Sequence, residues 1–182
     1  MTDIKNHLRL AGFGLQVGLR QGYNYLFSQD KKLPIAIIDT THKCNLSCTL
    51  CYYKRKKNQE QLSIKDWEKE LQRIKNQGVK LIVWTGGEPL LRKELIELGQ
   101  KLFPYHIVFT NGTHSLPNWP RTRFFVSVDG CEENYIKIRG DNYQKVKQNI
   151  QDSRQKIILS TTLTSENIPI SFYSVQKLFK II

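Results

Sequence analysis

Beyond Leu33 the chain alternates short apolar runs with longer stretches in which apolar and polar positions recur at helical spacing. Ile35-Ala36-Ile37-Ile38 has the length and composition of a buried strand. Ser63 to Gln77 reads as a helix, capped by Ser63 with Asp66 three residues on. Its apolar side chains Ile64, Trp67, Leu71 and Ile74 share one face, and Gly78 ends it. Leu81-Ile82-Val83-Trp84 is the second strand, and Leu90 to Phe103 the next helix, stopped by Pro104. His106-Ile107-Val108-Phe109 is the third strand and Phe124-Phe125-Val126-Ser127-Val128 the fourth. A helix around Asn142 to Ser153 leads to a fifth strand, Ile157-Ile158-Leu159-Ser160, and Phe172 to Ile182 begins another helix.

Strands and helices alternating at this spacing predict an α/β fold, a parallel sheet built from right-handed βαβ units. An open doubly wound sheet and a full or partial barrel both fit, and both place their chemistry at the C-terminal strand ends. The residues that follow each strand are informative. Thr40, Thr41, His42 and a cysteine cluster follow the first, and Thr85-Gly86-Gly87-Glu88-Pro89 the second. Thr110-Asn111-Gly112 follows the third and Asp129-Gly130 the fourth. The polar, glycine-rich and thiol chemistry therefore falls on one rim.

Length, 182 residues, suits one domain, with residues 34–182 as its core and residues 1–33 as a distinct apolar extension. That extension carries Leu8, Leu10, Phe13, Leu15, Val17, Leu19, Leu26 and Phe27 beside Arg9, Arg20 and Lys31. Gly14, Gly18 and Gly22 would form one small-residue face on a helix. Ten residues separate the flanking Arg9 and Arg20, too few to span a bilayer. Packing on the domain that follows, or on sequence outside these 182 residues, is the leading expectation, with peripheral membrane contact through residues 8–27 as the alternative. The N-terminus has no secretory signal pattern, so the expected location is cytoplasmic, or peripheral to the inner face of the membrane. The net charge of +12 admits anionic partners without naming one. Its densest run, Lys54-Arg55-Lys56-Lys57, lacks the interleaved aromatic residues of a single-strand binder, which argues for a solvated loop and against nucleic acid.

Three of the four cysteines, Cys44, Cys48 and Cys51, lie within eight residues in a C-x3-C-x2-C pattern. Crowded thiols in a chain of this length suit a soft metal centre better than a disulfide framework. Zinc remains open at this point, with His42 or Cys131 as fourth ligand, although zinc ribbons use two distant C-x2-C pairs. An iron–sulfur cube held by three thiolates would leave one iron without a protein ligand, ready for a small molecule.

At these residues the chain resembles the radical S-adenosylmethionine (radical SAM) enzymes, whose defining C-x3-C-x2-C stands on the loop after the first strand of a partial (β/α) barrel. Gly86-Gly87-Glu88-Pro89 is similar to the family's GGEP segment, and Ser127-Val128-Asp129-Gly130 to the S-x-D-G of one branch. Arg139-Gly140 extends the likeness, which covers residues 35 to 165. The resemblance implies about five βα units of that partial barrel. It implies a 4Fe–4S cluster on Cys44, Cys48 and Cys51, with SAM chelating the open iron. It further implies that Gly86 and Gly87 offer carbonyls to the SAM amino group, with Glu88 held in the same loop. Ser127 and Asp129 would reach ribose or methionine groups, Arg139 the SAM carboxylate, and Asn111 would line the site. The implied reaction is reductive cleavage of SAM to a 5′-deoxyadenosyl radical, with a flavodoxin or ferredoxin as electron donor. Small-molecule, peptide and lipid-like substrates all stay open.

Some features depart from the family pattern. Leu50 stands where an aromatic residue is common, so that either Tyr52 or Tyr53 takes its place or leucine suffices. The sequence ends within the fifth helix, so a sixth strand is expected from a longer protein or a second chain. Cys131 has no assigned role, and His7, His106 and His114 show no ligand spacing. Two other readings stay beside the enzyme: a zinc-stabilised basic module that binds nucleic acid, and a non-catalytic member that keeps the cluster for a partner.

Overall fold

The computed structural model describes residues 35–51, 53 and 61–163. The residue 1–33 extension, the Lys54–Lys57 run and the helix expected from Phe172 lie outside the described residues.

Among the described residues five strands form one sheet: β1 (Ile35–Asp39), β2 (Leu81–Thr85), β3 (Tyr105–Thr110), β4 (Thr122–Ser127) and β5 (Ile157–Ser160). All neighbouring pairs are parallel and their order follows the chain. A doubly wound sheet reverses its strand order at a switch point. This one never reverses, so it is an arc of a barrel.

Burial alternates along each strand. Ile38, Ile82, Trp84, Val108, Phe124 and Val126 point to the covered face and form the core. Their neighbours point to the opposite face, where Ile37 is 71% exposed and Ile35, Phe109 and Ile158 are also exposed. Fully parallel sheets are normally covered on both faces. Among the described residues helices cover only one, and the other face is the inside of the arc.

Helix α1 (Ile64–Asn76) starts as expected: the Ser63 hydroxyl accepts from the Asp66 N–H and donates to the Asp66 carboxylate. Its buried Leu71, with Trp67 and Ile74 beside it, packs on the sheet. The single helix expected from Leu90 to Phe103 is two elements, a 3-10 turn (Pro89–Arg92) and helix α2 (Lys93–Leu102). The reason is local. Glu88 caps the turn by accepting from the Leu90 N–H, and the chain bends before Leu95 and Ile96 reach the core.

Helix α3 (Glu132–Arg139) has no counterpart among the sequence expectations. Only Tyr135 and Ile138 are apolar and buried on it, too few to establish a period. Gly140 ends it, and α4 (Tyr143–Gln151) follows with Val146 and Ile150 buried. The fourth strand ends at Ser127, one residue earlier than expected, yet Val128 N–H still donates to the Ser160 carbonyl. The fifth strand lies where the apolar run predicts it.

Candidate cofactor site at the strand ends

The loop after β1 is fastened to the loop after β2 by backbone. Thr40 N–H donates to the Thr85 carbonyl at 2.9 Å, Gly87 N–H to Thr41 at 2.7 Å and Glu88 N–H to Lys43 at 2.9 Å. Glycine is required on the second loop. Gly86 has φ +134°, and a Cβ there would lie 2.5 Å from the Thr41 carbonyl oxygen. A Cβ on Gly87 would lie 2.2 Å from that of Lys43. The sequence suggested close approach to a ligand; the atoms actually in the way are the backbone of the cysteine loop. Arg92 adds a brace, donating from its two terminal nitrogens to the carbonyls of Thr40 and Leu62.

Glu88 is completely buried beneath this junction. Its Oε1 accepts from the Leu90 N–H and, at 2.7 Å, from the Thr110 hydroxyl; Oε2 accepts from the Asn111 N–H at 2.8 Å. Burial pushes its pKa up against the pull of those donors. Glu88 therefore ties the second rim loop to the third and does not line the cavity above.

That cavity has a volume of about 610 Å³, within the usual range for a small-molecule site. Cys44, Cys48 and Cys51 line it, all free and all half-buried. Gly86, Gly87, Asn111, Ser127, Asp129 and Arg139 line it too. The nine residues are drawn from 96 positions of sequence, brought to one rim by the register of the parallel strands. Ile37, Val83 and Phe109 form its apolar wall, continuous with the exposed sheet face. Leu50, 53% exposed, and the buried Tyr53 line it as well, while Tyr52 lies outside the described residues.

Arg139, at the end of α3, donates through Nε to Asp129 at 2.7 Å. The side chains are 14% and 2% exposed, so this ion pair is largely desolvated. Asp129 also accepts from the Thr162 N–H at 2.9 Å. Both Asp129 oxygens are thus engaged within the protein, where the sequence led us to expect contact with ribose or methionine. The same helix end holds the cysteine loop, since the Thr49 N–H donates to the Ile138 carbonyl at 2.9 Å. Thr162 and Thr49 escaped the sequence, because Thr162 lies in no motif, Thr49 is one of the unspecified positions of C-x3-C-x2-C, and their partners are 33 and 89 residues away.

The thiols themselves suit a metal cluster. Burial pushes the thiols of both Cys44 and Cys48 up, with Glu88 and the neighbouring cysteines adding to it and Arg139 opposing it at Cys48. Thiolates gathered there are costly until a cationic centre neutralises them. Among the described residues no three His, Cys, Asp or Glu side chains converge as a single metal ion requires. Neither His42 nor Cys131 lines the cavity. A cube spreads its ligands further apart than one zinc ion bound at about 2.3 Å from each sulfur. The donor set fits the cube.

An α/β arc with three thiols over its strand ends defines a class, the cluster-binding partial barrels. The model of the radical SAM superfamily matches residues 38–165, and the chain belongs to that family. Over 159 residues it is 30% identical to Fe-coproporphyrin III synthase of Methanosarcina barkeri (strain Fusaro / DSM 804), covering 78% of this chain and 40% of that protein. It is 29% identical over 158 residues to the sporulation killing factor maturation protein SkfB of Bacillus subtilis (strain 168), covering 77% and 38%. The chain thus spans about two fifths of the length of these curated relatives. Among solved structures, anSMEcpe with bound AdoMet and Kp18Cys peptide superposes with a TM-score of 0.67 at 25% identity, over 80% of this chain and 48% of that one. Streptococcus suis SuiB bound to S-adenosylmethionine has the same fold, with a TM-score of 0.65 at 18% identity, over 81% and 37%. Radical SAM proteins use a 4Fe–4S cluster and SAM, and the relatives named here are enzymes.

Proposed function

We propose that this chain is the SAM-cleaving part of a radical SAM enzyme, with Cys44, Cys48 and Cys51 as the cluster ligands. The observation that carries this is the convergence of the three thiols and Arg139 on one cavity at the strand ends. When bound and given one electron, the cluster and SAM supply methionine and a 5′-deoxyadenosyl radical that takes hydrogen from, or adds to, a substrate.

The chain's own residues hold and orient these groups. Gly86 and Gly87 line the cavity, and their carbonyls would accept from the SAM amino group. Arg139, oriented by Asp129, takes the SAM carboxylate through charge-assisted hydrogen bonds. Ser127 reaches the ribose. Glu88 fixes the loop that carries the two glycines. Ile37, Val83 and Phe109 give the cavity an apolar wall.

A flavodoxin or ferredoxin supplies the electron. A peptide substrate is supported by the likeness to SkfB, a maturation protein, and to the PqqA peptide cyclase of Bradyrhizobium diazoefficiens, 33% identical over 69 residues. The core unit begins at residue 34. Residues 1–33 are an extension whose apolar stretch, residues 8–27, is a candidate for peripheral membrane contact beside packing on the domain; co-sedimentation with anionic vesicles separates the two.

The reading is tested by anaerobic reconstitution of the chain and of Cys48→Ala. We expect brown protein with about four irons per chain, and 5′-deoxyadenosine after reduction with SAM. Cys48→Ala should lose both. Colourless protein with one tightly bound zinc would contradict the reading and favour the zinc module. Bound iron without SAM cleavage would favour a non-catalytic member.

A further inference from the structure

Asn111 lines the cavity, and its amide is turned toward a cysteine. Nδ2 stands 3.7 Å from Cys44 Sγ and 3.0 Å from Asn45 Oδ1, donating to each. Oδ1 accepts from the Thr113 N–H at 2.9 Å and from the Thr113 hydroxyl at 2.7 Å. Asn45 Nδ2 in turn donates to the Thr113 hydroxyl oxygen at 2.8 Å. The three side chains close a ring of hydrogen bonds that joins the loop after β1 to the loop after β3. Because Thr113 presents two donors to Oδ1, the amide has one satisfied orientation, with its N–H toward sulfur. From below, Glu88 clamps the Asn111 backbone. The Leu46 N–H, 3.4 Å from the same sulfur, is a second donor.

We infer that Asn111 donates a hydrogen bond to the Cys44 ligand that raises the cluster's reduction potential, and that Asn45 and Thr113 are the positioning residues for it. This rests on Cys44 being a cluster ligand, as proposed above. An electron added to an iron–sulfur centre places more negative charge on its sulfurs, so N–H donors stabilise the reduced form more than the oxidised one. Removing a donor makes reduction harder. The ring matters because a mobile amide would trade the sulfur for water.

The test is an EPR-monitored redox titration of the reconstituted 182-residue chain without SAM, comparing wild type with Asn111→Leu, Thr113→Val and Thr113→Ser. Asn111→Leu should disfavour reduction by roughly tenfold, a shift of about 59 mV to more negative potential for one electron. Thr113→Val should move the potential in the same direction, and Thr113→Ser, which keeps the hydroxyl, should restore it. Should Asn111→Leu fail to hold iron, the Thr113 pair decides by itself. Iron-loaded variants that all titrate with wild type would overturn the inference, as would Thr113→Ser shifting as far as Thr113→Val. A wild-type chain that takes up no iron fails differently: it removes the cluster reading, and this inference with it.

Discussion

Gly87 does its work against protein, and the consequence is measurable. Its missing side chain leaves room for the Lys43 carbonyl, and its N–H holds Thr41. In Gly87→Ala backbone must move, because no flexible side chain is in the way. We expect a loss of about 3 kcal/mol or more in urea unfolding, and poor retention of iron after reconstitution. Stability within about 0.5 kcal/mol of wild type would contradict the packing role. The residue types at the site were legible because C-x3-C-x2-C, GGEP and S-x-D-G are local patterns. Their partners were not. Glu88 reaching Thr110 and Asn111, or Asn45 reaching Thr113, depends on which loops become neighbours.

Strands announce themselves through β-branched and aromatic runs, and all five begin within two residues of where those runs do, with β1, β2 and β5 starting on them. Helix α3 did not, since it is defined by what it holds rather than by an apolar stripe. Its last turn carries the Arg139–Asp129 pair and the Ile138 carbonyl that anchors Thr49. His106 on β3, given no role from sequence, is a second element-level surprise. Trp84 Nε1–H donates to its Nδ1 at 3.1 Å, so Nε2 carries the proton and donates to the Phe103 carbonyl at 3.0 Å. Burial lowers its pKa to about 4, despite the pull of that carbonyl and helped by Arg121. The unfolded chain, with His near its ordinary value of about 6.5, takes up the proton first as pH falls. The stabilisation from neutral His106 is therefore complete above that value and is lost as pH falls through about 4. On the order of 3 kcal/mol is at stake. Urea midpoints should drop between pH 6.5 and 4, and His106→Gln should flatten that slope.

At the scale of the molecule, the decisive property is a parallel sheet that the described helices cover on one face. Strand order without a reversal makes it an arc, and the exposed Ile37, Phe109 and Ile158 lie on the inner side. The sequence left open sheet and barrel undecided because both have the same βα rhythm; strand order separates them. The rim of that arc gathers three thiols, with Asp129 and Arg139 paired beside them. The central claim is that three protein ligands leave one iron open for SAM. It is tested most directly by the EPR spectrum of the reduced, reconstituted chain with and without SAM. The expected result is a 4Fe–4S signal whose g-values change when SAM is added to the wild-type chain and change far less when it is added to Arg139→Ala. A cluster spectrum indifferent to saturating SAM in the wild-type chain would contradict it.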